Sequence, residues 1–189
     1  MNVEEAIRTR RSIGRVKQDP IERSAIERLL EAAAWAPSHH NTQPWTFIVM
    51  TGEGRAKLGE GYARVAAASM PELSGEELEA RLAKERQKAY RAPVVIAAAC
   101  SPSGDPCAVL AEELAAAHAA VQNLLLAAHA SGLGAIWRSG DPMYHPLMQE
   151  AFGLSGEQRL VGFIYVGVPD MAAPEPKRVP PAAKTVWVE

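Results

Sequence analysis

Ala36-Pro37-Ser38-His39-His40-Asn41-Thr42-Gln43-Pro44-Trp45 separates an apolar helical pattern from an apolar strand, Thr46 to Met50. Two prolines bracket six residues that carry hydrogen-bonding side chains. Each proline fixes its own φ and biases the residue before it away from helix, so the segment reads as a stiff polar loop. A loop held rigidly between a helix and a strand is a common seat for binding residues. On residue types alone it reads equally well as a turn capping the helix before it.

Working outward toward the N-terminus, Asp19, Pro20 and Glu22 give the spacing of a capping box that starts a helix. Ile26, Leu29, Leu30 and Ala33 form the apolar stripe of that helix, which must stop by Ala36. A shorter helix is expected over 2–11, with Val3, Ala6 and Ile7 on one side. Between the two helices lies a basic turn, Arg8 to Lys17, with five cations and Ser12 around Gly14 in ten residues.

Toward the C-terminus, strand 46–50 turns at Gly52 to Gly54 into helices over 53–70 and 75–90. The second of these is a charged, solvated outer face whose sign order suits the helix dipole. Ala92 to Cys100 is a continuous apolar run of strand length, the pattern of a strand buried on both faces. Asp105-Pro106 starts the longest helix, 107–131. Leu110, Leu114, Ala117, Val121, Leu124 and Ala128 form its stripe, and Ser131 to Gly134 end it. A short strand at 135–138, a turn at Ser139 to Pro142, a helix over 143–152 and a buried strand at 160–168 follow. The proline-rich remainder is a tail, with residues 185–188 read as one added strand. No repeat or linker divides the chain, so residues 1–189 read as one domain with 170–189 as its extension.

The formal net charge of −2 argues against a dedicated nucleic-acid surface. No apolar run is long enough to span a membrane. The acidic N-terminus lacks the apolar core of a signal peptide, and Cys100 and Cys107 make no disulfide framework, so a cytoplasmic setting is expected.

Two further segments carry chemistry. Arg10, Arg11, Ser12 and Arg15 offer guanidinium forks and a hydroxyl that match phosphate oxygens. They also read as a solvated patch paired with Glu4, Glu5 or Asp19. Trp137-Arg138-Ser139-Gly140 ends a strand, a place where ligands often bind, and reads either as a second phosphate clamp beside a flat aromatic face or as a core tryptophan with an exposed arginine. Neither a dinucleotide fingerprint, a P-loop nor a nucleophile elbow is present. No set of histidines, cysteines and carboxylates has metal-ligand spacing, and no carboxylate pair stands out as a catalytic couple.

Taken together and in order, the three segments resemble the nitroreductase family, and its small YdjA-like branch in particular. The family pattern R-R-S-x-R is represented by Arg10-Arg11-Ser12 and Arg15. A-P-S-x-x-N-x-Q-P-W is matched by Ala36 to Trp45. G-L-G-x-x-W is matched by Gly132 to Trp137, and a late strand ending in G-x-P by Gly167 to Pro169. The resemblance implies an α+β fold: a central, mostly antiparallel sheet flanked by helices, one of them long and central. It implies a homodimer with FMN at the subunit interface and a C-terminal extension onto the partner. It implies NADH or NADPH as reductant, ping-pong hydride transfer to a small-molecule acceptor such as a nitroaromatic or quinone, and no catalytic acid or base from the protein. Arg10, Arg11 and Ser12 with Arg138 would hold the phosphate and ribityl end. Pro37, Ser38, His39 and Asn41 would reach the flavin of the other chain. Gln43, Trp137 and Ser139 complete the expected cofactor wall, with Trp35 at a position that is commonly basic in the branch. A flavin-free dimeric binding protein that recognises a phosphate-bearing ligand is the alternative that the residues leave open.

Overall fold

The computed structural model describes all 189 residues. Four strands, β1 (Trp45–Thr51), β2 (Val94–Cys100), β3 (Gly134–Arg138) and β4 (Arg159–Gly167), form one sheet in the order β1-β2-β4-β3. Every neighbouring pair is antiparallel. Seven helices surround it: α1 (Val3–Thr9), α2 (Arg23–Ala34), α3 (Ala56–Ala68), α4 (Gly75–Arg86), α5 (Leu110–Ala130), α6 (Asp141–Tyr144) and α7 (Pro146–Ala151). No helix is long and apolar enough to cross a membrane.

The unbroken apolar run in β2 works as its composition demands, since all seven residues are buried. Val94, Ile96, Ala98 and Cys100 face α2 and α5, against Ile26, Leu29, Ala33, Ala117, Ala120, Val121 and Leu124. Val95, Ala97 and Ala99 face the opposite layer, with Leu58 and Val65 of α3, Met143 of α6 and Met148 of α7. The alanines of α5 keep that helix close to the sheet, because a small-residue stripe sets a short packing distance. The charged helix α4 buries only Leu82, as its composition leads one to expect.

A bulge sets the geometry of β4. Ala98 pairs with Gly162 and Ala99 with Leu160, so Val161 is left over. The indole N–H of Trp137 donates to the carbonyl of Val161 at 2.9 Å. This contact needs glycine at 162, where an added Cβ would stand 2.0 Å from Trp137 Nε1. At the other end of β3 the chain segment 12–17 closes the sheet edge. Ser12 bridges Ala135 in parallel, Val16 bridges Pro169, and the Lys17 N–H donates to the Val168 carbonyl at 2.8 Å.

Three boundaries differ from expectation. The Asp19 capping box does not form; α2 begins at Arg23 after Glu22, with no side-chain cap. Residues 16–17 are drawn out along the end of β4, and Gln18 donates to the Tyr90 carbonyl, so the chain reaches helical geometry only later. Asp105 likewise does not cap α5. Its carboxylate accepts from the Cys107 N–H in a local turn, and the helix starts at Leu110. The helix expected over 143–152 is two short ones broken at His145, which is extended before Pro146 and accepts from the Leu147 N–H. The tail holds only a 3₁₀ turn, Pro181–Lys184, and residues 185–189 pair with no strand of this chain.

Replacing Gly162 with alanine pushes a methyl group into the Trp137 indole and should cost about 1–3 kcal/mol, the usual range for overpacking. Urea denaturation followed by tryptophan fluorescence reads both the lost stability and the displaced indole. An unchanged midpoint with an unchanged emission maximum would contradict the interlock.

Candidate functional site

The basic turn is carried to β3 by backbone pairing rather than by its own charges. The Ile13 N–H donates to the Ala135 carbonyl at 3.0 Å, so Ser12 lies against the strand that ends in Arg138. Arg10 is half-buried, and its guanidinium pKa is lowered from the ordinary value by burial first, then by the neighbouring charges of Arg178 and Arg11. Two arginines that depress the pKa of a third are cations gathered without an anion between them. Arg178 comes from the proline-rich tail and is absent from the sequence-based candidates. The signal was there in Lys177-Arg178, two cations in a segment without helical or strand periodicity.

Arg11 plays a different part. Its Nε donates to the Pro174 carbonyl at 3.1 Å, and its Nη1 to the carbonyls of Arg8 at 2.7 Å and Arg10 at 2.8 Å. Arg15 donates to the Asp170 carbonyl at 2.6 Å. These two arginines fasten the tail along the basic turn, and so hold Arg178 near Arg10.

At the other end of β3, Arg138 is half-buried with its Nε buried and unpartnered. Its guanidinium stands over the Tyr165 ring at 5.6 Å, and its Nη2 reaches to 3.9 Å from where a side chain on Gly14 would begin. Trp137 turns to the other face of the sheet, its ring centroid 5.6 Å from that of His118. Ser139 is exposed in the turn that follows. A cleft of about 530 Å³ opens here, lined by Tyr62, Lys88, Arg91, Trp137, Arg138 and Ser139 among others. Burial raises the pKa of both the Tyr62 and Tyr165 hydroxyls, which keeps them protonated across the physiological range. Sequence reasoning missed Tyr62, Lys88, Arg91 and Tyr165, because on one chain a tyrosine in a helix and a tyrosine in a strand carry no positional signal.

The proline-bracketed loop is strained. His40, Asn41 and Gln43 have φ of 52°, 53° and 47°, in the left-handed region that residues with a Cβ rarely occupy. Such residues cost of the order of 1–3 kcal/mol each and persist where surrounding contacts impose them. The contacts are visible. Ser38 Oγ accepts from the Gln43 N–H at 3.2 Å, Gln43 Nε2 donates to Asn41 Oδ1 at 3.3 Å, and His39 Nδ1 lies 2.5 Å from Glu112 Oε2 at the start of α5. The Ser101 N–H donates to the Pro44 carbonyl at 2.6 Å. Thr42 Oγ1 is buried without a partner. Pro37 is exposed, and Trp35, which ends α2, is 82% exposed.

Within one chain the loop and the two basic segments stay apart. The loop leads into β1, and β1 and β3 are opposite edges of the sheet, three strand spacings or about 14 Å across. The structure thus brings Arg10, Arg11 and Ser12 to the strand that ends in Trp137, Arg138 and Ser139. It leaves Trp35, Pro37, Ser38, His39, Asn41 and Gln43 on the far side.

The nitroreductase family model matches residues 7–168, which takes in the basic turn, the strained loop and β3. The chain belongs to the nitroreductase family. It is 34% identical over 175 residues to YfhC of Bacillus subtilis strain 168, a protein named as a candidate NAD(P)H nitroreductase, covering 92% of this chain and 88% of that one. It is 32% identical to the similarly named YdjA of Escherichia coli strain K12, over 95% of both chains. A crystal structure of a nitroreductase-like family protein from Bacillus cereus superposes with a TM-score of 0.84 at 32% identity, covering 100% of this chain and 97% of that one. A nitroreductase-type structure from Desulfovibrio desulfuricans, in complex with FMN, superposes with a TM-score of 0.76 at 28% identity, covering 100% and 98%. The α+β architecture expected from the motifs is therefore the nitroreductase fold.

Substituting Gln43 by glycine removes one left-handed residue with a Cβ, at the loss of one exposed hydrogen bond. Stability should rise by about 0.5–1 kcal/mol, read as a shift in the urea midpoint. A fall of that size would show that the loop conformation carries no strain at this position. The two thiols should also separate. Burial, with the charge of Glu113, pushes the Cys100 thiol up to about 11, whereas Cys107 is exposed. A thiol reagent at pH 8 should therefore titrate one cysteine in the native protein and two in denaturant.

Proposed function

We propose that this chain is an FMN-dependent oxidoreductase that uses NADH or NADPH to reduce nitroaromatic, quinone-like or other small electrophilic acceptors. The observation that carries the reading is the convergence of Arg10 and Arg178, with Ser12 beside them, at the sheet edge that ends in an Arg138 whose Nε is buried and unpartnered. Clustered guanidinium groups beside a serine hydroxyl are the donor set a phosphate group requires. A buried donor left open is a further group for a bound ligand to satisfy, because buried polar atoms are normally paired. The FMN in the related Desulfovibrio desulfuricans structure supports the same cofactor here.

In this reading Arg10, Ser12 and Arg178 hold the phosphate, and Arg11 keeps the tail in place for Arg178. Arg138, Ser139 and Trp137 border the ring system. FMN, when bound, supplies the hydride chemistry; the protein supplies position, charge and exclusion of water. Pro37, Ser38, His39, Asn41 and Gln43 act on the site of a second copy, with the exposed Trp35 beside them. That assignment rests on their distance from β3 in their own chain.

The proposed homodimer has a second support. The outer edge of β1 carries no strand, and a groove of about 700 Å³ beside it is lined by Ile21, Ile26, Leu30, Val49 and Pro93. Val186, Trp187 and Val188 are apolar and project into solvent. An open edge beside an apolar groove suits an added strand, and residues 185–188 of the partner are the proposed occupant. The two free cysteines fit the proposed cytoplasmic setting.

The visible spectrum of the purified protein tests the cofactor directly. A flavin spectrum that releases FMN at about one per chain is expected; a colourless protein that takes up no added FMN sinks the proposal. Arg10→Ala and Arg178→Ala should each weaken FMN binding by about tenfold or more, the size of one charge-assisted contact, and leave riboflavin binding unchanged. Equal losses for both flavins would remove these arginines from the phosphate site. Deleting residues 185–189, which spares Arg178, should weaken self-association in analytical ultracentrifugation. An unaltered dimer constant would refute the added strand.

A further inference from the structure

The cleft of about 530 Å³ beside Ser139 has a charge character that the cofactor reading does not use. Lys88 and Arg91 enter it from the segment between α4 and β2, Tyr62 from α3, and Arg138 from β3. No carboxylate lines it. Glu85 pairs with Lys88 from the rim, which leaves the cleft with two unneutralised guanidinium groups. Behind Arg138 lies Tyr165, only 2% exposed, whose hydroxyl has no hydrogen-bond partner. Tyr62 stands beside that hydroxyl without closing a bond of standard geometry. The rest of the lining on this face of the sheet is apolar: Ile136, Pro142, Met143 and Phe163. The cleft thus joins an apolar wall, which suits a planar ring, to one cationic end with open donors.

We infer that this cleft is the acceptor site and that it selects planar acceptors bearing a carboxylate, which Arg91 receives while the ring lies against Met143 and Phe163. The inference rests on the proposed oxidoreductase activity, because the cleft shares Trp137, Arg138 and Ser139 with the cofactor wall. Arginine favours a carboxylate through its two parallel donors, and the low polarity of the wall strengthens the pairing. A neutral acceptor of the same shape fills the apolar part alone and leaves the cationic end unsatisfied. That is the arrangement in which a polar site rejects the analogue that lacks its partner group.

4-Nitrobenzoate and 4-nitrobenzamide differ in charge and little in shape. Reduction of either nitro group to nitroso consumes one NAD(P)H and one proton and releases NAD(P)⁺ and one water. The holoenzyme should show kcat/KM at least tenfold higher for the carboxylate than for the amide. In Arg91→Met that ratio should fall toward one, through KM rather than kcat, and in Arg91→Lys, which keeps the charge and loses the fork, only part of the way. FMN per chain should remain as in the parent protein. Calorimetric titration of the two compounds reads the same preference without turnover. An absent preference in the parent protein, in both kinetics and binding, overturns the inference while FMN content and NAD(P)H–quinone turnover still report on the oxidoreductase reading. Parallel loss of FMN in the two variants also overturns it, by giving Arg91 to the cofactor phosphate.

Discussion

Burial of β2 and β4 on both faces is the constraint from which the rest follows. A strand such as Val94–Cys100, with every residue buried, needs a layer on each side. The chain meets this with α2 and α5 on one face and α3, α6 and α7 on the other. Once both faces are covered, only the edges remain for chemistry. The sheet places β1 and β3 there, and each of the three sequence segments with a binding pattern adjoins one of them. The proposed site is at the edge because the faces are spent on the core.

The β3 edge is closed by devices that depend on missing side chains. Gly162 admits the Trp137 indole, which takes up the carbonyl of the leftover Val161. Gly134 and Gly167 admit Ile13 and Val16 of the basic turn. With β3 locked in this way, Trp137 is committed to the α5 face and Arg138 to the opposite face over Tyr165. A bulge next to a functional strand end is a recurrent means of aiming a side chain. Here it decides which of two adjacent residues meets the cleft.

Much of this was legible in the residues. The uninterrupted β2 run announced two-sided burial, and the stripe of α5 announced a helix that packs closely. The motif order from Arg10 to Trp137 announced the fold. Two misreadings concern caps: Asp19 carries a good local signal that tertiary pairing at 16–18 overrides, whereas Asp105 spends its carboxylate on the Cys107 N–H in a local turn. The candidate site was half legible. Clustered arginines on a short segment can be read along a chain, and Arg10 to Ser12 were read as one candidate element; the structure sets them beside β3. Arg178 was hidden because its meaning comes from meeting Arg10 across the fold. Tyr165 was hidden because its orphaned hydroxyl exists only once Phe163 and Tyr62 have packed around it.

The strain in the loop bears on why its residues sit where they do. Three left-handed residues within four positions are held by hydrogen bonds that are almost all exposed, an arrangement that a chain folding only for its own stability has little reason to keep. None of that strain serves the β3 edge of the same chain, which the sheet holds about 14 Å away. It fixes instead the outward direction of His39 and Asn41 beside an exposed Trp35, with Glu112 gripping His39 from the helix that also contacts Trp137 through His118. The two ends of the proposed site are therefore tied to one rigid element, α5. A second copy meeting this face would receive the loop in a conformation already set, with the ordering cost met when each chain folded rather than when the two chains joined.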